Sequence, residues 1–101
     1  MEAKKLGNIE INPHALSVIA NIAAEEVEGV SKLLGKKLYS KGVELEFSGN
    51  ELVIDVFCNL KSGYPVAKVA GKIQENIKNS IFNMTEINTK SVNVNILGID
   101  F

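Results

Sequence analysis

Histidine, the usual catalytic base, and cysteine, a possible catalytic nucleophile, each occur once in this sequence, as His14 and Cys58. A nucleophile needs a base within hydrogen-bonding reach, and histidine is the usual base. His14 directly follows Pro13, where a helix is predicted to begin, and this position favours an exposed first-turn residue over a general base. A single histidine also cannot supply the three protein ligands of a typical catalytic zinc. We therefore predict no catalytic residue, no metal site and no cofactor.

Cys58 is predicted to be a core residue. It falls in phase with Ile54, Val56 and Leu60 in a run in which apolar residues alternate with others, and this alternation directs the four side chains to one face of a strand. A thiol in such a place behaves as a small apolar side chain, and nothing favours its ionisation. A lone cysteine forms no disulfide within its own chain, which fits a reducing compartment.

The acidic residues are predicted to keep the surface solvated. Glu44 and Glu46 share one face of a predicted strand, and Asp55 is expected on the outer face of the neighbouring strand. Acid–base catalysis by two carboxyl groups needs an apolar pocket that keeps one of them protonated, and the sequence indicates none. A phosphate-binding loop is not predicted either, because Gly63 stands alone before a helix, without the required glycine spacing, lysine and hydroxyl.

Two groups of residues suit contact with a partner. The first is a concentration of positive charge formed by Lys32, Lys36, Lys37 and Lys41, which fits either an anionic surface or a solvated loop. The second is Phe57 with Val53 on the same strand face, an association patch if that face of the sheet is uncovered. The N-terminal segment or the tail ending in Phe101 is the alternative cover for these two side chains.

Composition indicates one soluble globular domain spanning residues 1–101. Of the 101 residues, 46% are hydrophobic and 23% are charged, and the formal net charge is −1. All eleven basic residues are lysine, so the chain lacks the planar guanidinium that reads guanine or phosphate at two points, and nucleic-acid recognition is disfavoured. No run approaches the roughly 20 apolar residues that span a bilayer, and no signal peptide is evident, so a cytoplasmic location is expected.

The elements that position these residues follow from hydrophobic spacing. Ile9 and Ile11 predict a short first strand, and Asn12 with Pro13 predicts the start of a helix that stops at Gly29. The apolar stripe of this helix consists of Leu16, Ile19, Ala20, Ala23 and Val27. The connection after it, from 30 to 42, is expected to contain at most a brief strand at its beginning.

The second half contains clearer signals. Alternating residues at 43–47 and 52–60, separated by Gly49-Asn50, predict a β-hairpin. Pro65 precedes a second helix, and alternation at 92–96 predicts a last strand that ends before Gly98. The apolar stripe of the second helix consists of Val66, Val69, Ala70, Ile73, Ile77, Ile81 and Met84. The order β-α-β-β-α-β predicts an α+β two-layer sandwich, with two helices on one face of a mainly antiparallel four-stranded sheet.

Several phrases, taken in order and together, resemble the alkaline shock (envelope stress response) protein family of bacteria over almost the whole chain. They are Gly7-Asn8-Ile9-Glu10-Ile11, Ile19-Ala20, Ala23-Ala24-Glu25-Glu26-Val27-Glu28-Gly29-Val30, Lys41-Gly42-Val43, Gly63-Tyr64-Pro65-Val66, Ile73-Gln74, Met84-Thr85, Val92-Asn93-Val94 and Gly98-Ile99. The Tyr64-Pro65 step departs from the more usual continuation after the glycine. The resemblance implies a cytoplasmic protein that is tied to envelope stress, self-associates, and in some members is held at the membrane by a separate anchor protein.

The leading hypothesis is therefore a non-catalytic scaffold that forms a homo-oligomer, through the mixed outer sheet face or an exposed strand edge. A membrane-anchor protein is a further partner that the resemblance implies. The alternative is a small nucleic-acid (RNA)-binding or metabolic regulatory module, since small α/β domains include many RNA binders. An enzyme has no support in the sequence.

Overall fold

Eight elements form the fold in a computed structural model that describes residues 4–6, 9–35, 42–49 and 51–101. In chain order they are β1 (Lys4–Leu6), β2 (Ile9–Ile11), α1 (Pro13–Glu25), β3 (Val30–Leu33), β4 (Val43–Ser48), β5 (Glu51–Lys61), α2 (Val66–Thr85) and β6 (Thr89–Asp100). The predicted two-layer α+β architecture is confirmed, with both helices on one face of a four-stranded sheet.

The helices begin where the sequence predicts. Asn12 accepts a hydrogen bond from the His14 backbone N–H at 2.9 Å, so it caps α1, and Pro13 takes the first position, where no N–H is needed. α2 starts after Pro65 and ends at Glu86 in the left-handed conformation. The predicted end of α1 at Gly29 is too late, because the helix stops at Glu25. Gly29 lies in the turn after it with φ of 101°.

The long strand β5 is the centre of the sheet. β3 and β4 both pair with it in antiparallel fashion, and β6 pairs with it in parallel. Two of the three pairings are therefore antiparallel. The parallel pairing follows from chain order, because a strand, a crossover helix and a neighbouring strand form a parallel unit.

The N-terminal strand and the last strand differ in detail from the sequence-based expectation. β2 pairs with β1 in a separate two-stranded sheet, and the fourth strand of the main sheet is β3, the brief strand expected after α1. β6 continues through Gly98 to Asp100 because a bulge at Leu97 changes the alternation while pairing with β5 continues. The alternation rule alone ends the strand too early.

The core lies between the sheet and the helices. The even-numbered residues of β5 from Leu52 to Leu60 are buried, and among them Cys58 is fully buried, as predicted. α2 contributes four buried residues at successive spacings of four: Val69, Ile73, Ile77 and Ile81. The small side chains of Ala20, Ala23 and Ala24 allow α1 to approach the sheet and α2 closely.

Candidate functional site

The sheet face opposite the helices, called here the outer face, carries one pair of predicted site residues. Val53 and Phe57 occupy odd-numbered positions of β5 and are half-buried, with Asp55 between them and Asn59 beyond. Leu97, at the bulge of β6, is 60% exposed. This face is mixed in character, with apolar side chains among amides and carboxylates.

The predicted lysine group is only partly described. Lys32 is exposed on β3 opposite Asn59. Lys36, Lys37 and Lys41 lie outside the described residues. Phe101 is fully exposed, so this side chain does not cover Val53 and Phe57 as the alternative interpretation expected.

The described outer face has an acidic end. Glu44 of β4 lies opposite Asp55, and Glu46 lies opposite Val53. Like charges directly opposite each other on a sheet are unfavourable, and here the Asn93 side chain donates to Asp55 at 3.0 Å. Within the described part of the chain, one carboxylate oxygen of Glu44 is buried without a hydrogen-bond partner. No group of three or more His, Cys, Asp or Glu among those residues is arranged to hold a metal ion.

The other end of the outer face contains a polar cluster that the sequence analysis missed. Asp100 accepts hydrogen bonds from the Ser31 hydroxyl and, at 3.2 Å, from the Asn59 amide. These bonds and nearby Lys32 hold the pKa of Asp100 below its ordinary value, with the Ser31 bond as the largest cause. The backbone carbonyl of Asp100 also accepts from the Ser62 N–H at 2.9 Å. The cluster therefore ties the end of β6 to β3 and β5.

A sequence signal for this cluster existed. Ile99 stands between Gly98 and Asp100, so the alternation of apolar and other residues continues with its phase shifted by one. A bulge produces such a shift. Read in that way, Asp100 falls on the outer face next to Asn59.

The two edges of the central strand β5 are occupied differently, by two short strands on one side and by β6 on the other. Phe57 donates its backbone N–H to the Gly42 carbonyl and accepts from the Leu34 N–H, both at 2.8 Å. Phe57 therefore turns its backbone groups toward β3 and β4. Since backbone groups alternate in direction along a strand, Val56 turns its groups toward β6. β3 and β4 thus share one edge of β5, end to end.

The far edge of β6 pairs with no strand in the described part of the chain. Val56 is the parallel partner of Val94, so it bonds to the residues on either side of Val94. Val92, Val94 and Ile96 consequently turn their N–H and C=O groups outward. In agreement, the Gln74 side chain of α2 donates to the Val92 carbonyl at 2.9 Å.

An open groove of about 380 Å³ lies between the end of α1 and α2. Its charged lining consists of Glu26, Glu28, Lys72 and Glu75. Tyr64 donates to Glu28 at 3.2 Å, which raises the pKa of Tyr64. This bond beside the groove joins two segments that carried the family resemblance, 23–30 and 63–66, although they are far apart in sequence.

Cys58 and His14, the two residues considered as nucleophile and base, are poorly placed for catalysis. Burial raises the pKa of the Cys58 thiol, which disfavours the reactive thiolate. His14 is exposed in the first turn of α1. Within the described residues, no helix is both long and apolar enough to cross a membrane.

Known proteins are similar in sequence to this chain over almost its whole length. The model of the alkaline shock protein 23 family, described by a cell envelope-related function, matches residues 1–101. The uncharacterized protein YqhY of Bacillus subtilis is 37% identical, over 99% of this chain and 82% of its own length. The uncharacterized protein Spy1535 of Streptococcus pyogenes is 32% identical, over 98% of this chain and 84% of its own length.

Solved structures of the MamM CTD are similar in fold. A histidine-to-glutamate variant has a TM-score of 0.59 at 17% identity and covers 87% of this chain and 96% of its own. A nickel form has a TM-score of 0.58 at 17% identity and covers 86% of this chain and 99% of its own. At this identity the likeness concerns the fold alone.

Proposed function

The chain belongs to the alkaline shock protein 23 family, whose described function is cell envelope-related, and from this membership we propose that it is a non-catalytic, self-associating scaffold of the bacterial cell envelope. The scaffold acts from the cytoplasmic side and is brought to the membrane by an anchor protein. The candidate surfaces for association are the outer face around Phe57 and the open edge of β6.

The observation that carries this proposal is that the fold leaves a long strand edge unpaired in its described part. β6 has twelve residues, and a long exposed edge is a template for pairing with another chain unless it is blocked. The usual blocking devices are charged side chains and proline. Between Ser91 and Ile99 the strand has neither.

A role without catalysis is supported by the chemistry of the same residues. Cys58 is fully buried and its pKa is raised, so it is a poor nucleophile. Glu44, Glu46 and Asp55 lie on the outer sheet face with partly or fully exposed side chains, whereas acid–base catalysis by two carboxyl groups needs an apolar pocket.

Light scattering of the full chain over a rising concentration range tests the proposal. The expected result is a mass that increases from 11.0 kDa toward a defined oligomer. Phe57→Glu measures the contribution of the outer face. Asn83→Glu is its matched control, because it adds the same charge at an exposed position of α2. A strict monomer at the highest concentration would refute self-association.

A further inference from the structure

The open edge of β6 has a self-complementary pattern, and we propose that a second copy of this chain binds there, with the two β6 strands antiparallel and paired about Asn95. This inference rests on the proposed self-association and specifies which surface carries it. The sheets of the two copies then become one continuous sheet, and their outer faces lie side by side.

The backbone groups select the register. In an antiparallel pair, two residues that both turn outward exchange two hydrogen bonds. Val94 and Ile96 turn outward, and no described residue bonds to their outward groups. Pairing Val94 with Ile96 of the second copy uses every one of these groups, and the two-fold symmetry repeats the pair.

The two neighbouring registers use backbone groups that are already bonded to a side chain or lie at the bulge. Pairing Val94 with its own copy would place Ile96 opposite Val92, whose carbonyl already accepts from Gln74. Pairing Ile96 with its own copy would place Val94 opposite Gly98, where the bulge interrupts the strand. The register centred on Asn95 pairs Val94 and Ile96 with each other and leaves Val92 opposite Gly98, at the two ends of the pairing.

The side chains agree with this arrangement. On the helix side, Val94 and Ile96 are only partly buried and pack against the core, so pairing them with each other extends that core across the interface. On the outer side, Leu97, which is 60% exposed, comes to lie opposite Asn93 of the second copy. Burial of this apolar surface favours association.

Charge favours the antiparallel direction. The edge from Ser91 to Ile99 has no charged side chain, and it is flanked by Lys90 at one end and Asp100 at the other. An antiparallel pair brings the Lys90 end of each copy toward the Asp100 end of the other. Opposite charges then lie at both ends of the interface.

The first test removes an outward hydrogen bond. Val94→Pro deletes an N–H that points away from β5, and proline is tolerated on an edge strand when its missing N–H faces solvent. Val94→Ala is the control, since it keeps the N–H while losing side-chain packing. We expect light scattering to give a monomer mass near 11.0 kDa for Val94→Pro, whereas Val94→Ala and Phe57→Glu keep the dimer, with circular dichroism confirming that each variant folds.

The second test determines the register of the pairing, and it also tests the β6 interface if Val94→Pro does not fold. Asn95 faces itself across the two-fold axis, with Cα atoms about 4.5 Å apart in a pair of this kind, which suits a disulfide. Asn93 is four residues from its own copy along the strand, roughly 13 Å away. Mild oxidation should therefore cross-link Asn95→Cys and leave Asn93→Cys uncross-linked.

The outcomes separate the two proposals. A wild-type chain that remains monomeric refutes self-association and this inference together. An oligomer that persists in Val94→Pro, or Asn95→Cys that does not cross-link better than Asn93→Cys, refutes the β6 pairing and leaves self-association through another surface intact.

Discussion

Gly42 is the residue whose replacement should reveal how β3 and β4 share one edge of β5. Its φ is 91°, a conformation that is unfavourable for residues with a side chain. A Cβ at this position would lie 2.5 Å from the Leu33 Cβ, 2.9 Å from the Leu34 backbone nitrogen and 3.0 Å from the Phe57 carbonyl oxygen. Because two of these neighbours are backbone atoms of the junction itself, the strands must separate to make room.

The expected cost has two parts. A residue with a Cβ in the left-handed region costs about 1–2 kcal/mol, and forcing an extra carbon into a filled site typically costs about 1–3 kcal/mol. Gly42→Ala should therefore lower the free energy of unfolding by roughly 2–5 kcal/mol. A domain with a typical stability of about 5–15 kcal/mol would lose a large share of it.

Two other glycines distinguish the conformational cost from the packing cost. Gly49 has φ of 61° and open space around a Cβ, so Gly49→Ala should show only the conformational cost, about 1–2 kcal/mol. Gly71 lies inside α2 with open space around it, so Gly71→Ala should stabilise by about 0.5–1 kcal/mol. Urea unfolding followed by circular dichroism, at one low protein concentration for all variants, measures the three values. If Gly42→Ala and Gly49→Ala agree within 0.5 kcal/mol, about the spread of neutral surface changes, the tight junction of β3 and β4 is wrong.

Two further predictions concern the cluster at Asp100 and the core. The pKa of Asp100 is lowered from its ordinary value of 3.8, so the carboxylate stabilises the fold at pH values above its unfolded-state pKa, and this contribution is lost as pH falls through the lowered pKa. The difference in melting temperature between wild type and Asp100→Asn should therefore shrink below about pH 4, as measured by thermal melts at several pH values. Ile77→Ala removes a fully buried side chain of α2 and should cost about 2–5 kcal/mol in urea unfolding, while Lys78→Ala, at the exposed neighbouring position, should stay within about 0.5 kcal/mol.

The sequence predicted the elements that local patterns specify. Apolar residues at spacings of three and four located both helices, the cap at Asn12 located the start of α1, and the alternation around Gly49 located the hairpin of β4 and β5. Each of these signals depends on residues that are close together in sequence, so it can be recognised without knowing which elements pack against each other.

Other features depend on how elements meet. The pairing of β2 with β1, instead of with the main sheet, is a choice between partners that alternation does not distinguish. The polar cluster at Asp100 needs Ser31, which lies 69 residues earlier in the chain. The bulge at Leu97 hid it, because a change of phase resembles the end of a strand. The family resemblance supplied the cell envelope connection, yet it named no surface.

The same long-range contacts prepare β6 for a partner. At one end, Asp100 is held by Ser31 and Asn59, and at the other, Gln74 of α2 holds the Val92 carbonyl. The open stretch between these two anchors is already ordered by its pairing with β5. Ordering a flexible backbone costs about 1–2 kcal/mol per residue, and an edge fixed in advance avoids that cost when a second strand binds. The anchors therefore favour association at this edge over association through a strand that has to form on contact.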